Sequence, residues 1–130
     1  MSFDVIKITG INLPASSYTK DGGDFVFELN GDVEQRWAQI FSDTANTTHY
    51  ESTFLSIPKI ENSSKIVLKS NLEGDFGLQY TNYHLQILLR AVNHDFRALI
   101  EREAEEKAQK DSERKELENK VLNIIKKLTF

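Results

Sequence analysis

Apolar and polar residues alternate along the first half of the chain, a pattern typical of β-strands with one buried face. A segment rich in Ser, Asp and Gly, residues 14–23, is predicted to be a loop. The Asn and Ser residues of 61–64 suit a tight turn, and Pro58 places the strand before that turn at a sheet edge or a bulge. The predicted strands are residues 3–13, 25–29, 54–60 and 65–70.

A short helix is predicted between the two strand pairs. Asp32 is the expected N-cap, with Gln35 three residues later in a variant of the capping box, and the helix is expected to end near Ala45. Its predicted apolar stripe consists of Val33, Trp37, Ile40 and Phe41.

From about residue 78 the apolar period becomes helical, and seven apolar residues fall within an arc of about 120°. A helix over 78–101 is therefore expected to cover the sheet, with Trp37 and Phe96 buried against Phe25 and Phe27. The sequence predicts an α+β domain over residues 1–101, a mostly antiparallel four-stranded sheet (ββαββ) under a long C-terminal helix. The seven residues are Leu85, Leu88, Leu89, Val92, Phe96, Leu99 and Ile100.

Residues 102–130 are predicted to be a charged helical extension with an oligomerisation seam. The segment 101–116 has no large apolar residue, and the next four apolar positions follow at spacings of 4, 3 and 4, as in a coiled coil. A helix over 80–128 would be about 74 Å long, so its end could not reach the core of a domain about 26 Å across. Either the chain folds back near 109–112, or the seam packs on another chain. No Gly or Pro marks a turn there, which favours a homo-oligomer through Leu117, Val121, Ile124 and Leu128.

Composition narrows the classes of function. The 130 residues include no cysteine, which excludes disulfides, iron–sulfur sites, zinc ribbons and thiol nucleophiles. The net charge is −4 and the pI about 5.4, so a nucleic-acid partner is not expected. The first residues do not resemble a signal peptide, and no apolar run has the length of a membrane span. We therefore expect a cytoplasmic protein with no membrane partner.

No catalytic or metal-binding motif emerges from the sequence. His49, His84 and His94 do not lie three or four residues apart, so no metal site is predicted. The tripeptide 75–77 matches a kinase metal-binding motif by chance, because the other kinase motifs are missing. No catalytic residue and no cofactor is predicted, and we do not expect an enzyme.

One face of the long helix carries candidate binding chemistry. Two arginines and a histidine, Arg90, His94 and Arg97, could hold a carboxylate or phosphate, with Tyr83 stacking on a ring. The alternative is an ordinary solvated row of charges. His94 and Glu101 are two turns apart, which disfavours an acid–base pair.

Four aromatic residues, Tyr18, Tyr50, Phe76 and Tyr80, fall in predicted loops or at a helix start, where an interface with a protein partner would explain them. The sequence thus favours a non-catalytic interaction protein, a binding, inhibitory or assembly subunit of a cytosolic complex. Toxin-immunity and phage counter-defence proteins offer an analogy. The alternative is a small-ligand or nucleotide-binding protein, with enzymatic activity as a further option, that uses the Arg/His face.

Overall fold

The computed structural model describes residues 5–47, 50 and 52–129. Contacts divide the chain into two units, residues 1–96 and 97–130. The fold is α+β, as predicted. Its strands are β1 (Ile8–Ile11), β2 (Ser17–Thr19), β3 (Gly22–Leu29), β4 (Lys59–Glu61) and β5 (Lys65–Ser70). Its helices are α1 (Gln35–Ala45) and α2 (Leu78–Lys126), and α2 crosses from the first unit into the second.

The five strands form one antiparallel sheet in the order β1-β3-β5-β4, and β2 pairs with β3 as well. The central pair is β3 with β5, in which Phe25 lies opposite Leu68 and Phe27 opposite Ile66. These four side chains are almost fully buried. Strands β3 and β5 are the two inner strands of the sheet. Because cross-strand pairs of this kind are the main source of sheet stability, this pair contributes most to the sheet.

The core of the first unit lies on one face of this central pair. Trp37 from α1 and Phe96 from α2 are 1 % and 4 % exposed, which confirms the burial predicted for both. The other buried helix side chains of the core are Phe41, Ala45, Leu85, Leu88, Leu89 and Val92.

The sheet has one strand more than predicted. Ser17–Thr19, within the predicted loop 14–23, pairs with residues 22–24 as a hairpin. Gly22 has a φ of 109°, and a Cβ on Gly23 would collide with the backbone carbonyl of Ser17. All three residues of β2 are exposed, so no apolar alternation could reveal this strand.

Two of the predicted strands, residues 3–13 and 54–60, are shorter in the structure. Phe3 lies outside the described residues, and β1 begins only at Ile8. Of the segment 54–60, only its last two residues lie in β4, which begins directly after Pro58. A proline cannot donate to a sheet, so the strand forms on its C-terminal side.

Helix α1 begins later than predicted, and Asp32 does not cap it. The N-cap residue is Glu34, whose side chain makes no capping hydrogen bond. Val33 precedes the helix, and its backbone N–H donates to the carbonyl of Ser63 at 2.7 Å. The end of the helix at Ala45 is as predicted.

The turn between β4 and β5 confirms the prediction of a tight connection. Asn62 and Ser63 have φ values of 53° and 62°, both in the left-handed region. The two left-handed residues let the chain reverse between Glu61 and Lys65, which are paired across the hairpin.

The second unit is helical up to Lys126. The chain does not turn at 109–112, so the alternative in which the last segment folds back there is wrong. Leu128 lies beyond the end of the helix, where its backbone N–H donates to the carbonyl of Ile125 at 3.0 Å. Every residue from Glu101 to Thr129 is exposed. Among the described residues, no helical segment combines the length and apolar character needed to cross a bilayer.

Candidate functional site

A buried asparagine of α2 fixes the extended segment that precedes β1. The Asn93 side-chain oxygen accepts a hydrogen bond from the backbone N–H of Ile6 at 3.3 Å, and its NH₂ group donates to the Ile6 carbonyl at 2.9 Å. The same oxygen accepts the indole N–H of Trp37 at 2.9 Å. Asn93 therefore joins three separate parts of the first unit.

A second asparagine holds the same segment beside the end of β3. The Asn30 side-chain oxygen accepts from the backbone N–H of Lys7 at 3.0 Å, and its NH₂ group donates to the Val5 carbonyl at 2.8 Å. The backbone N–H of Asn30 also donates to the Lys7 carbonyl at 3.0 Å. The two asparagines take the place of neighbouring strands, so this segment is ordered without being part of the sheet.

A groove of about 240 Å³ lies between this segment and α2, and one of the predicted binding residues lines it. Arg90 lines it from the helix and Lys7 from the extended segment. Gln86 adds an amide, and Leu89 adds apolar surface. Two cations and an amide beside an apolar wall can bind a small carboxylate or phosphate.

The other members of the predicted Arg/His face do not line this groove. Tyr83 is 63 % exposed, and its ring meets that of His84 edge-on at 5.2 Å. His94 is exposed, with its Nδ1 atom 3.5 Å from an Asp95 carboxylate oxygen. These two residues are therefore solvated side chains of the first unit.

Arg97 belongs to the second unit, where its Nε atom lies 3.2 Å from a Glu101 carboxylate oxygen. This i,i+4 pair supplies an acidic partner for Arg97 within its own helix. The same contact engages Glu101, the residue whose pairing with His94 the helical spacing disfavours.

A larger open cleft of about 640 Å³ lies on the other side of the extended segment. Trp37 and Phe96 line it with apolar surface, and Lys7 and Asp32 line it with charged groups. Arg36 lies 5.9 Å from the centre of the Phe96 ring and forms an ion pair with Glu34. The charged lining residues of the cleft, Lys7, Asp32 and Glu34, are of both signs, so the cleft has no clear preference for an anion or a cation.

Four rings form a row at the start of α2. Phe76, held at a φ of 59°, meets Tyr80 edge-on at 5.3 Å, and Tyr80 lies 4.2 Å from His84. His84 in turn contacts Tyr83. Two of the aromatic residues expected to be at an interface, Phe76 and Tyr80, are therefore half-buried against each other.

The other two predicted interface aromatics also have partners within the first unit. Tyr18 stacks on Phe25 with ring centres 5.2 Å apart, although it remains 45 % exposed. Tyr50 stacks on Phe54 at 6.4 Å and is buried. Intramolecular packing therefore accounts for much of the apolar surface that suggested a partner.

The second unit carries an exposed apolar surface near the end of α2, which we name the C-terminal apolar face. Each of its side chains is 44 % to 61 % exposed. Three of the four predicted seam residues lie within α2, and the fourth, Leu128, follows its end. The face consists of Leu117, Val121, Leu122, Ile124, Ile125 and Leu128.

Sequence reasoning missed Asn93 and Asn30. Asn93 lies four residues after Leu89 and three before Phe96, on the buried stripe of α2. A polar residue inside an apolar stripe was the available signal, because a buried amide needs hydrogen-bond partners. Its partners in the N-terminal segment could not be read from spacing.

Within residues 5–47, 50 and 52–129, no three His, Cys, Asp or Glu side chains are grouped so that they could hold a metal ion. Comparison of the chain with protein-family models, with curated proteins and with solved structures gives no match.

Proposed function

We propose that this protein is a non-catalytic interaction protein that self-associates through its C-terminal apolar face and serves as a binding, inhibitory or assembly subunit. The observation that supports this is the exposure of six large apolar side chains near the end of α2. Exposed apolar surface of this extent is uncommon in a protein that stays monomeric, because its contact with water is unfavourable.

The distribution of residues along the second unit supports an interface at this place. Residues 101–116 carry twelve charged side chains and no large apolar one, whereas all six members of the face fall within 117–128. A helix that is surrounded by water on all sides is typically polar all round, which does not explain this concentration of Leu, Ile and Val. Burial of the face against a second helix is the arrangement that removes it from water.

Paired charge substitutions test this proposal. The variant Val121→Glu/Ile124→Glu places two carboxylates on the face, where association would bury them unpaired, so the dissociation constant should rise at least about tenfold. The matched control is Asn119→Glu/Asn123→Glu, which adds the same charge on the opposite side of the helix. Sedimentation of the full chain at tens of micromolar measures both.

The expected result is an oligomer for the wild type and the control, and a monomer for Val121→Glu/Ile124→Glu. A monomeric wild type under these conditions would overturn the proposed self-association. Equal weakening by both pairs would show that net charge matters and the apolar face does not.

A second candidate function rests on the groove between Lys7 and Arg90. Two basic side chains from separate segments lie at one concave surface in a protein whose net charge is −4. This arrangement supports a small anionic ligand, a carboxylate or a phosphate, in the manner of a small-ligand or nucleotide-binding protein.

A further inference from the structure

The charge along the second unit is strongly polarised. The segment 101–106 carries four glutamates and one arginine, a net charge of −3. The segment 117–128 carries three lysines and one glutamate, a net charge of +2. All of these residues are exposed, and all but Lys127 lie on the continuous helix α2, so the two ends of this segment carry opposite net charges.

We propose that two copies of this helix pair in antiparallel orientation over residues 101–128, so that the acidic end of each faces the basic end of the other. A parallel pair would bring the charge of −3 against −3 and the charge of +2 against +2. An antiparallel pair brings opposite charges together at both ends. This inference rests on the proposed self-association and adds the orientation of the partner.

Ala104 offers a position from which the orientation can be reported. At 100° per residue its side chain projects in the same direction as Leu122, at one edge of the C-terminal apolar face. In an antiparallel pair Ala104 of one copy lies near Leu122 of the other. A parallel pair would instead place Ala104 opposite Ala104 and Leu122 opposite Leu122.

Charge reversal separates the two orientations by the sign of its effect. The variant Glu105→Lys/Glu106→Lys changes the net charge of 101–106 from −3 to +1. In the antiparallel pair this end then faces a like charge, and the dissociation constant should rise by about tenfold at low salt. In a parallel pair the same change weakens the repulsion between two acidic ends, so association would tighten.

Cross-linking tests the orientation directly, because the wild-type chain contains no cysteine. Single variants Ala104→Cys and Leu122→Cys are oxidised in an equal mixture, one of them carrying a mass tag. The antiparallel pair predicts mixed 104–122 products several-fold above either self-linked product, because a disulfide requires Cα atoms within about 7 Å. The matched control is Ala104→Cys mixed with Asn123→Cys, whose side chain projects from the side of the helix opposite the C-terminal apolar face and should give little mixed product.

The outcomes distinguish this inference from the proposed function. Predominant 104–104 and 122–122 products in a sample that sediments as an oligomer would overturn the antiparallel orientation and leave self-association intact. A chain that sediments as a monomer would overturn both. Tighter association of Glu105→Lys/Glu106→Lys would also overturn the antiparallel arrangement.

Discussion

The side-chain amide of Asn93 pairs with the backbone of Ile6 as a neighbouring strand would, because it accepts from the N–H and donates to the carbonyl of the same residue. Both residues are at least nine-tenths buried, so water cannot replace these bonds. A single polar side chain of α2 thus satisfies a segment 87 residues earlier in the chain, together with the indole N–H of Trp37.

Replacing Asn93 should therefore destabilise the first unit strongly. The variant Asn93→Leu leaves three polar groups of Ile6 and Trp37 without partners in the core, and we expect a loss of about 3 kcal/mol in the free energy of unfolding. Urea unfolding followed by Trp37 fluorescence measures it. The control Asn82→Leu, a half-buried position on the same helix, should change the free energy by about 0.5 kcal/mol or less. A loss below about 1 kcal/mol for Asn93→Leu would contradict the structural role of Asn93.

Truncation of Phe96 tests the packing of α2 in the core. Phe96→Ala removes a ring that is 4 % exposed and should cost about 3–5 kcal/mol of stability through lost burial and a residual cavity. Tyr83→Ala, which removes a ring of similar size that is 63 % exposed, serves as the control and should cost much less. Thermal unfolding of the two variants under the same conditions measures the difference in their melting temperatures. Similar melting temperatures would show that Phe96 contributes little.

The buried hydroxyls of Ser70 and Thr81 should be energetically coupled. Their oxygens are 2.8 Å apart, and both residues are less than 4 % exposed. Ser70→Ala or Thr81→Val alone leaves the other hydroxyl with fewer partners and should cost about 1–2 kcal/mol. The double variant should cost less than the sum of the two, by at least about 0.5 kcal/mol, in a double-mutant cycle from urea unfolding. Strict additivity would mean that the two hydroxyls act independently.

Arg90 should contribute to anion binding and little to stability. Its side chain is exposed, so Arg90→Glu should leave the melting temperature within about 3 °C of the wild type. Titration with inorganic phosphate should shift the backbone amide resonances of Lys7 and Gln86 in the wild type and not in Arg90→Glu. The control Lys20→Glu makes the same charge change at an exposed position that does not line the groove. Equal shifts in all three proteins would assign the phosphate effect to general ionic strength.

The parts of the fold that depend on local pattern could be predicted from the sequence. Strand β5 and the turn before it follow from alternating apolar residues and from Asn and Ser at left-handed positions. Strand β2 could not be predicted, because its three exposed residues are held only by backbone pairing with β3.

The candidate site could likewise be predicted from the sequence only in part. Helical spacing places Arg90 and His94 on the outside of α2, and the structure agrees that both are exposed. Spacing along one helix could not show that Lys7 lies across the groove from Arg90, because that proximity depends on how the extended segment packs. The fixing of that segment by Asn93 and Asn30 is likewise a property of the folded chain.

The hydrogen bonds between Asn93 and Ile6 also have a consequence for synthesis on the ribosome. Ile6 is translated 87 residues before the side chain that satisfies its backbone. At roughly 5–20 residues per second, the interval between the two is about 4–17 s. Throughout that interval the polar backbone of Ile6 has to remain hydrated, so the segment around it can take its final place only after most of the first unit has been made. The last event in the folding of this unit is therefore expected to be the docking of the segment around Ile6.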